Sequence, residues 1–95
     1  MIKEKLIVQK FFETLGKNKA RATYGMERTL LALERGAVDK LLISKKLKKE
    51  DIQNLEEKAN NIGAEVTIIS TENQEGEQFL NLTSGVGAIL RFALE

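Results

Sequence analysis

The apolar residues of this chain follow a helical repeat in four separate stretches. In the first stretch, Ile7, Phe11 and Leu15 recur every four residues, which places them on one face of a helix. Two later stretches are followed by Gly36 and Gly63, and glycine is common just after the end of a helix. The pattern therefore predicts helices over residues 2–15, 26–35, 50–62 and 74–82.

Short apolar runs separate these helices and predict strands over residues 22–24, 38–44, 66–70 and 86–92. The run Leu41-Leu42-Ile43 is continuous, as expected for a strand that is covered on both faces. Helices that alternate with such strands indicate an α/β fold, a three-layer α/β/α sandwich with a mixed sheet of about four strands. We expect residues 1–95 to form a single domain, and residues 38–70 to form a right-handed parallel crossover. The pattern leaves the orientation of the last strand open.

The composition limits the chemistry that this chain can perform. It contains neither cysteine nor histidine, so disulfides and the commonest metal ligands are absent. We therefore expect no metal, no cofactor and no enzymatic activity. The net charge is only +1, which gives no overall attraction to nucleic acid. Because the apolar runs are too short to span a bilayer, the sequence predicts a cytoplasmic protein without membrane contact.

The C-terminal segment is the most distinctive part of the sequence. Gly85 and Gly87 lead into an apolar run whose one charge is Arg91. A dinucleotide-binding loop has a third glycine and leads into a helix, so these two glycines are better explained by backbone geometry. An unpaired guanidinium is costly to bury. Arg91 is therefore expected either to form an internal ion pair or to contact a partner.

Three segments, in order along the chain, resemble parts of one family. They are residues 24–25 with 33–39 and 41–44, residues 70–79 around the turn Glu75-Gly76-Glu77-Gln78, and residues 84–92 with their glycines and Ile89-Leu90-Arg91-Phe92. The family is the C-terminal (third) domain of the archaeal and eukaryotic class-one peptide chain release factors and of their paralogue Pelota, the ribosome-rescue factor.

This resemblance implies a fold related to the kink-turn-binding ribosomal proteins and a role in docking. Its expected partners are a translational GTPase, the ATP-binding-cassette ATPase that recycles ribosomes and, through the full-length factor, the ribosome. The family's GTPase contact carries over to Ala88, Ile89, Leu90, Arg91 and Phe92. Ala88 replaces a frequent glycine and Phe92 a frequent tyrosine, so a phenol hydroxyl is lost.

A second candidate site is the acidic group Glu72, Glu75 and Glu77. Paired carboxylates perform acid–base chemistry when one of them is buried and its pKa is raised. These three lie in a polar turn that looks exposed, so catalysis is disfavoured. We interpret the group as a contact for a basic surface on the ATPase or the GTPase.

The sequence does not decide cleanly between the two paralogues. The turn at residues 74–79 and the pair Phe11-Phe12 look more like the release factor. Release factors usually carry an inserted mini-domain after the first buried strand, whereas only residues 45–49 stand there in this chain, as in Pelota. The sequence is interpreted as a release factor domain, with Pelota as the alternative.

RNA binding is the rival function, because relatives of this fold hold kink-turns. Their signature, Gly-x-Asn-Glu-x-x-Lys, falls here on Gly25, Met26, Glu27 and Leu30, so the amide and the ammonium that contact RNA are missing. The lysine run at residues 45–49 is most simply a solvated loop. Direct RNA binding by this domain is therefore not expected.

Overall fold

The computed structural model describes the backbone of residues 2–92 and the side chains of residues 5–92. Its helices are α1 (Ile2–Lys17), α2 (Met26–Glu34), α3 (Lys49–Asn61) and α4 (Gln74–Thr83). Its strands are β1 (Ala22–Tyr24), β2 (Val38–Ser44), β3 (Glu65–Ile69) and β4 (Val86–Leu90). The predicted order of elements is confirmed. A short 3-10 helix at Lys19–Arg21 lies between α1 and β1, in a stretch for which the sequence pattern predicted no helix or strand.

The four strands form one mixed sheet in the order β1-β4-β2-β3. β2 and β3 are parallel, as predicted. β4 lies between β1 and β2 and is antiparallel to both, which answers the question that the sequence left open. The reversal before β4 takes two residues, Ser84 and Gly85, both with positive φ (60° and 110°).

Helices cover both faces of the sheet, so the predicted three-layer sandwich is confirmed. Successive side chains of a strand point to opposite faces. Accordingly, Leu41 and Ile43 pack with residues of α2 and α3, whereas Leu42 packs with residues of α1 and α4. The central position of β4 explains why all five of its residues are buried.

One buried hydroxyl group has no hydrogen-bond partner. The side chain of Thr29 in α2 is fully buried, and among the described residues nothing accepts from or donates to its Oγ1. Burying a hydroxyl without a partner costs free energy. Thr29→Val keeps the shape and removes that cost, so we expect the free energy of unfolding to rise by about 1 kcal/mol in urea denaturation.

Thr83 provides the matched control for this substitution. It is equally buried, but its Oγ1 donates to the carbonyl of Phe79 (2.6 Å) and accepts from the N–H of Gly85 (3.1 Å). Thr83→Val is expected to lower the free energy of unfolding by about 1–3 kcal/mol, because Gly85 would lose its acceptor. A loss of stability in both variants would show that the Thr29 hydroxyl contributes to folding.

Candidate partner-binding surface

The C-terminal strand contributes both to the core and to the surface. The side chains of Ala88, Ile89 and Leu90 are buried between neighbouring strands and helices. Arg91 and Phe92 follow the end of β4 and are exposed. Of the five residues predicted here, only these two present side chains that a partner can reach in the folded domain. The other three fix where those side chains emerge.

Arg91 is held against the end of α3. Its backbone N–H donates to the carbonyl of Ala37 (2.7 Å), and its Nη2 donates to the carbonyl of Ile62 (2.8 Å). Ile62 caps α3, and a cation is favourable at the C-terminal end of a helix dipole. No ion pair of Arg91 is found within residues 5–92. The internal partner expected from the sequence is therefore a carbonyl and not a carboxylate.

Only one of the five N–H donors of the Arg91 guanidinium is used in this contact. The side chain is thus both positioned and exposed. Beside it, Phe92 leaves 50% of its surface to solvent, more than the other exposed aromatic residue, Tyr24 (39%). A positioned arginine next to an exposed aromatic ring has the composition that dominates the binding energy of many interfaces.

The acidic group surrounds the start of α4, because Glu72 precedes the N-cap residue and Glu75 and Glu77 lie in the first turn. Glu72 and Glu77 are exposed, and Glu75 is half-buried with its carboxylate 3.9 Å from Nζ of Lys5. Asn73 caps the helix, since its Oδ1 accepts from the N–H of Gly76 (2.7 Å). Carboxylates near a helix N-terminus are stabilised by its dipole. These glutamates therefore have a structural role in addition to any role at an interface.

The structure does not bring the acidic group and the Arg91–Phe92 pair together. Leu90 pairs with Val38 at the start of β2, while Ile69, which leads into α4, pairs with Ser44 at its end. The two sites are thus separated by the length of β2, roughly 20 Å. They form two surfaces at opposite edges of the sheet.

Sequence reasoning missed the partner of Arg91. The acceptor is the backbone carbonyl of Ile62, which lies 29 residues away. Every residue type carries such a carbonyl, so the identity of Ile62 gave no signal. The predicted end of the third helix near residue 62 was the one available clue, because the last carbonyls of a helix lack partners within it.

The positions that correspond to a kink-turn signature have other roles here. Gly25 caps α2 with φ of 89°, while Met26 and Leu30 are half-buried and pack against the core beneath α2 and α3. An aliphatic side chain thus occupies the place of the RNA-binding lysine. In the loop between β2 and α3, the lysines at 45, 46 and 48 are exposed, and Leu47 packs on the core.

The described part of the molecule shows no sign of a membrane-spanning segment or of a metal site. Within residues 2–92, none of the helices has the length and apolar character to cross a membrane. The described side chains also include no cluster of three or more carboxylates suited to a metal ion.

Comparison with known proteins identifies close relatives. The family described as eRF1 domain 3 matches residues 1–94. A protein pelota homolog from Methanosphaera stadtmanae is 38% identical over 93 residues, which cover 97% of this chain and 26% of that protein. Peptide chain release factor subunit 1 from Thermococcus kodakarensis is 30% identical over 140 residues, which cover 99% of this chain and 34% of that protein.

Solved structures show the same fold. Saccharomyces cerevisiae Dom34, a translation termination-like factor that interacts with Hbs1, is 27% identical with a TM-score of 0.85 over 97% of this chain and 28% of its own. Archaeal Pelota, from a model of its ribosome-bound form with ABCE1, is 30% identical with a TM-score of 0.79 over 98% of this chain and 27% of its own.

The chain spans about a quarter to a third of the length of these relatives. The match extends over nearly all of its own residues, and both paralogues inferred from the sequence are represented. The resemblance drawn from the three sequence segments is therefore confirmed: the chain belongs to the eRF1 domain 3 family, the C-terminal domain found in Pelota and in archaeal peptide chain release factor 1.

Proposed function

We propose that this chain is the C-terminal docking domain of a translation termination-like factor. It binds a translational GTPase and an ATP-binding-cassette ATPase and acts on cytoplasmic ribosomes as part of the full-length factor, with no catalysis of its own. The observation that carries this proposal is the exposed pair Arg91 and Phe92 at the end of the central strand, where Arg91 is held by its hydrogen bond to Ile62. The relatives support it, because Dom34 interacts with the GTPase Hbs1 and the archaeal Pelota structure includes ABCE1.

The two separate surfaces suit two partners. We assign the GTPase to the Arg91–Phe92 pair. The acidic group at Glu72, Glu75 and Glu77 then meets a basic surface on the ATPase or on a second part of the GTPase. Because the sites lie at opposite edges of the sheet, each can be contacted by a different surface of a partner or by a different partner.

Phe92→Ala and Arg91→Ala test the GTPase contact. Each substitution is expected to weaken binding of a translational GTPase at least about tenfold, because arginine is enriched among interface hot spots and phenylalanine among interface residues. The measurement is isothermal titration calorimetry with this chain and a GTPase purified from the same organism. Phe92→Ala should leave the free energy of unfolding nearly unchanged, since half of the ring is already in solvent.

Arg91→Ala is expected to lower the free energy of unfolding by about 1 kcal/mol, since the hydrogen bond to Ile62 is lost. Tyr24→Ala provides the control: Tyr24 is also an exposed aromatic, but it pairs with Gly87, five positions before Phe92. Its substitution should leave GTPase binding unchanged. Equal losses of affinity in Tyr24→Ala and Phe92→Ala, or none in either, would contradict the assignment.

A specific observation favours Pelota over the release factor as the parent protein. The alignment with the release factor extends over 140 positions, more than the 95 residues of this chain, and therefore contains a long gap. The Pelota alignment extends over 93 residues. The parent gene tests this choice. A Gly-Gly-Gln loop in a neighbouring domain would identify a release factor, and a neighbouring domain without that loop would identify Pelota.

A further inference from the structure

Positive charge is concentrated around the 3-10 helix Lys19–Arg21. Five exposed cations line two adjoining depressions there, and we call this surface the basic corner; its residues are Lys10, Lys17, Lys19, Arg21 and Arg28. The depressions have volumes of about 300 and 260 Å³ and share Leu90 as a wall. The carboxylates that line them are those of Glu13 and Asp39.

This concentration is not visible in the overall charge. The chain has 15 basic and 14 acidic residues, so ten basic and twelve acidic residues lie outside the two depressions. A surface with net charge about +3 therefore sits on a molecule that is otherwise slightly acidic. Such asymmetry attracts and orients a partner of opposite charge.

The backbone of the basic corner is fixed. After α1, the N–H of Asn18 donates to the carbonyl of Thr14 (2.7 Å), and the N–H of Arg21 donates to the carbonyl of Asn18 (2.9 Å). Nε of Arg21 donates to the carbonyl of Leu90 (3.1 Å). This last bond joins the basic corner directly to the residue before Arg91. The corner therefore lies beside the end of β4, from which Arg91 and Phe92 follow.

Most of these cations are available to a partner. Within residues 5–92, the side chains of Lys10, Lys19 and Arg28 form no ion pair or hydrogen bond. Lys17 lies 3.9 Å from Glu13, but both side chains are more than 60% exposed, so solvent screens this pair. Asp39 lies 4.0 Å from Lys40 and so has a cation of its own outside the corner.

The chemistry of the corner fits a protein surface better than RNA. No aromatic ring lines either depression, so a base has nothing to stack on. Glu13 and Asp39 would repel a continuous phosphate backbone, whereas a protein can place cations opposite them. Exposed Leu31 (44%) also lies in the wall of the second depression and offers apolar contact.

We propose that the basic corner is an electrostatic docking surface for a carboxylate-rich segment of the partner GTPase. The identity of the partner rests on the function proposed above, whereas the acidic character of the segment rests on the charges of the corner. The corner accelerates association and orients the partner, and the Arg91–Phe92 pair then holds it.

The test combines a charge variant with a matched control. Lys19→Gln/Arg28→Gln removes two unpaired cations from the corner, and Lys45→Gln/Lys46→Gln removes two from the loop at the opposite edge of the sheet. Stopped-flow binding to the GTPase is measured at low and at high ionic strength. The corner variant should lower the association rate constant about fivefold at low ionic strength, with little change in dissociation. The loop variant should behave as the wild type.

A second arm does not depend on the GTPase. Wild type and both variants are titrated with a polyglutamate peptide and with oligouridylate at low ionic strength. We expect the wild type and the loop variant to bind polyglutamate and the corner variant to lose this binding. This result would support the basic corner even if the GTPase failed to bind and the proposed function were rejected. Tighter binding of oligouridylate at the corner, equal effects of both variants, or no polyglutamate binding would each overturn the proposal.

Discussion

Replacement of Phe11 by alanine is expected to lower the free energy of unfolding by about 3–5 kcal/mol. Phe11 is fully buried between α1 and the sheet, and its ring meets that of Phe79 edge-on, with centroids 5.5 Å apart. The ring of Phe11 also packs directly on Gly87. A Cβ added to Gly87 would lie only 2.8 Å from Cζ of Phe11. Alanine would leave a cavity at the point where α1, α4 and β4 meet.

Chemical denaturation followed by circular dichroism measures this loss. A domain of this size has a total stability of about 5–15 kcal/mol, so the Phe11→Ala variant is expected to be only marginally folded. Phe92→Ala is the control, because it deletes the same ring from a half-exposed position. If both substitutions lowered stability equally, the packing of α1 on the sheet described above would be wrong.

Replacement of Gly76 by alanine is expected to lower the free energy of unfolding by about 3 kcal/mol or more. Gly76 is buried in the first turn of α4, where a Cβ would overlap the carbonyl oxygen of Ser70 and lie 2.9 Å from its carbonyl carbon. The carbonyl group of Ser70 belongs to the backbone and cannot rotate away from the new Cβ as a flexible side chain could. The variant must therefore shift the junction between β3 and α4 and weaken the Asn73 cap.

Gly16→Ala is the control for this prediction, and its effect should have the opposite sign. Gly16 lies near the end of α1, and a Cβ there meets nothing within 4 Å. Alanine in that helix is expected to raise the free energy of unfolding by about 0.5 kcal/mol, because it restricts the unfolded chain. Thermal unfolding of the two variants measures both effects, and an unchanged melting temperature for Gly76→Ala would contradict the predicted clash.

The helix and strand positions were predictable because each element carries its own repeat. The end of β4 was not predicted correctly from this pattern. The sequence marks residues 86–92 as one apolar strand, yet the strand ends at Leu90 and the two residues after it are exposed. Burial depends on which strands flank β4 and which helices cover it. That information is distributed over the whole chain and not over one segment.

The candidate site was likewise predictable only in part from the sequence. Arg91 stands out in the sequence as the only charge of an apolar run, and Phe92 as its terminal aromatic. The hydrogen bond to Ile62 and the separation from Glu72, Glu75 and Glu77 follow from the antiparallel placement of β4 beside β2. The basic corner was not predicted. Lys17, Lys19 and Arg21 stand close together in the sequence, but only the fold brings Lys10 and Arg28 beside them.

The sequence by itself determined the order of the elements, the three-layer class and the family, because hydrophobic periodicity and short motifs are local properties. Only the tertiary structure decided the direction of β4, the division of residues 88–92 into core and surface, and the separation of the acidic group from the Arg91–Phe92 pair. The physical reason is that burial and charge fields arise from residues far apart in sequence. The sequence of the C-terminal segment thus shows which side chains are present, whereas the neighbouring strands and helices decide which of them are exposed.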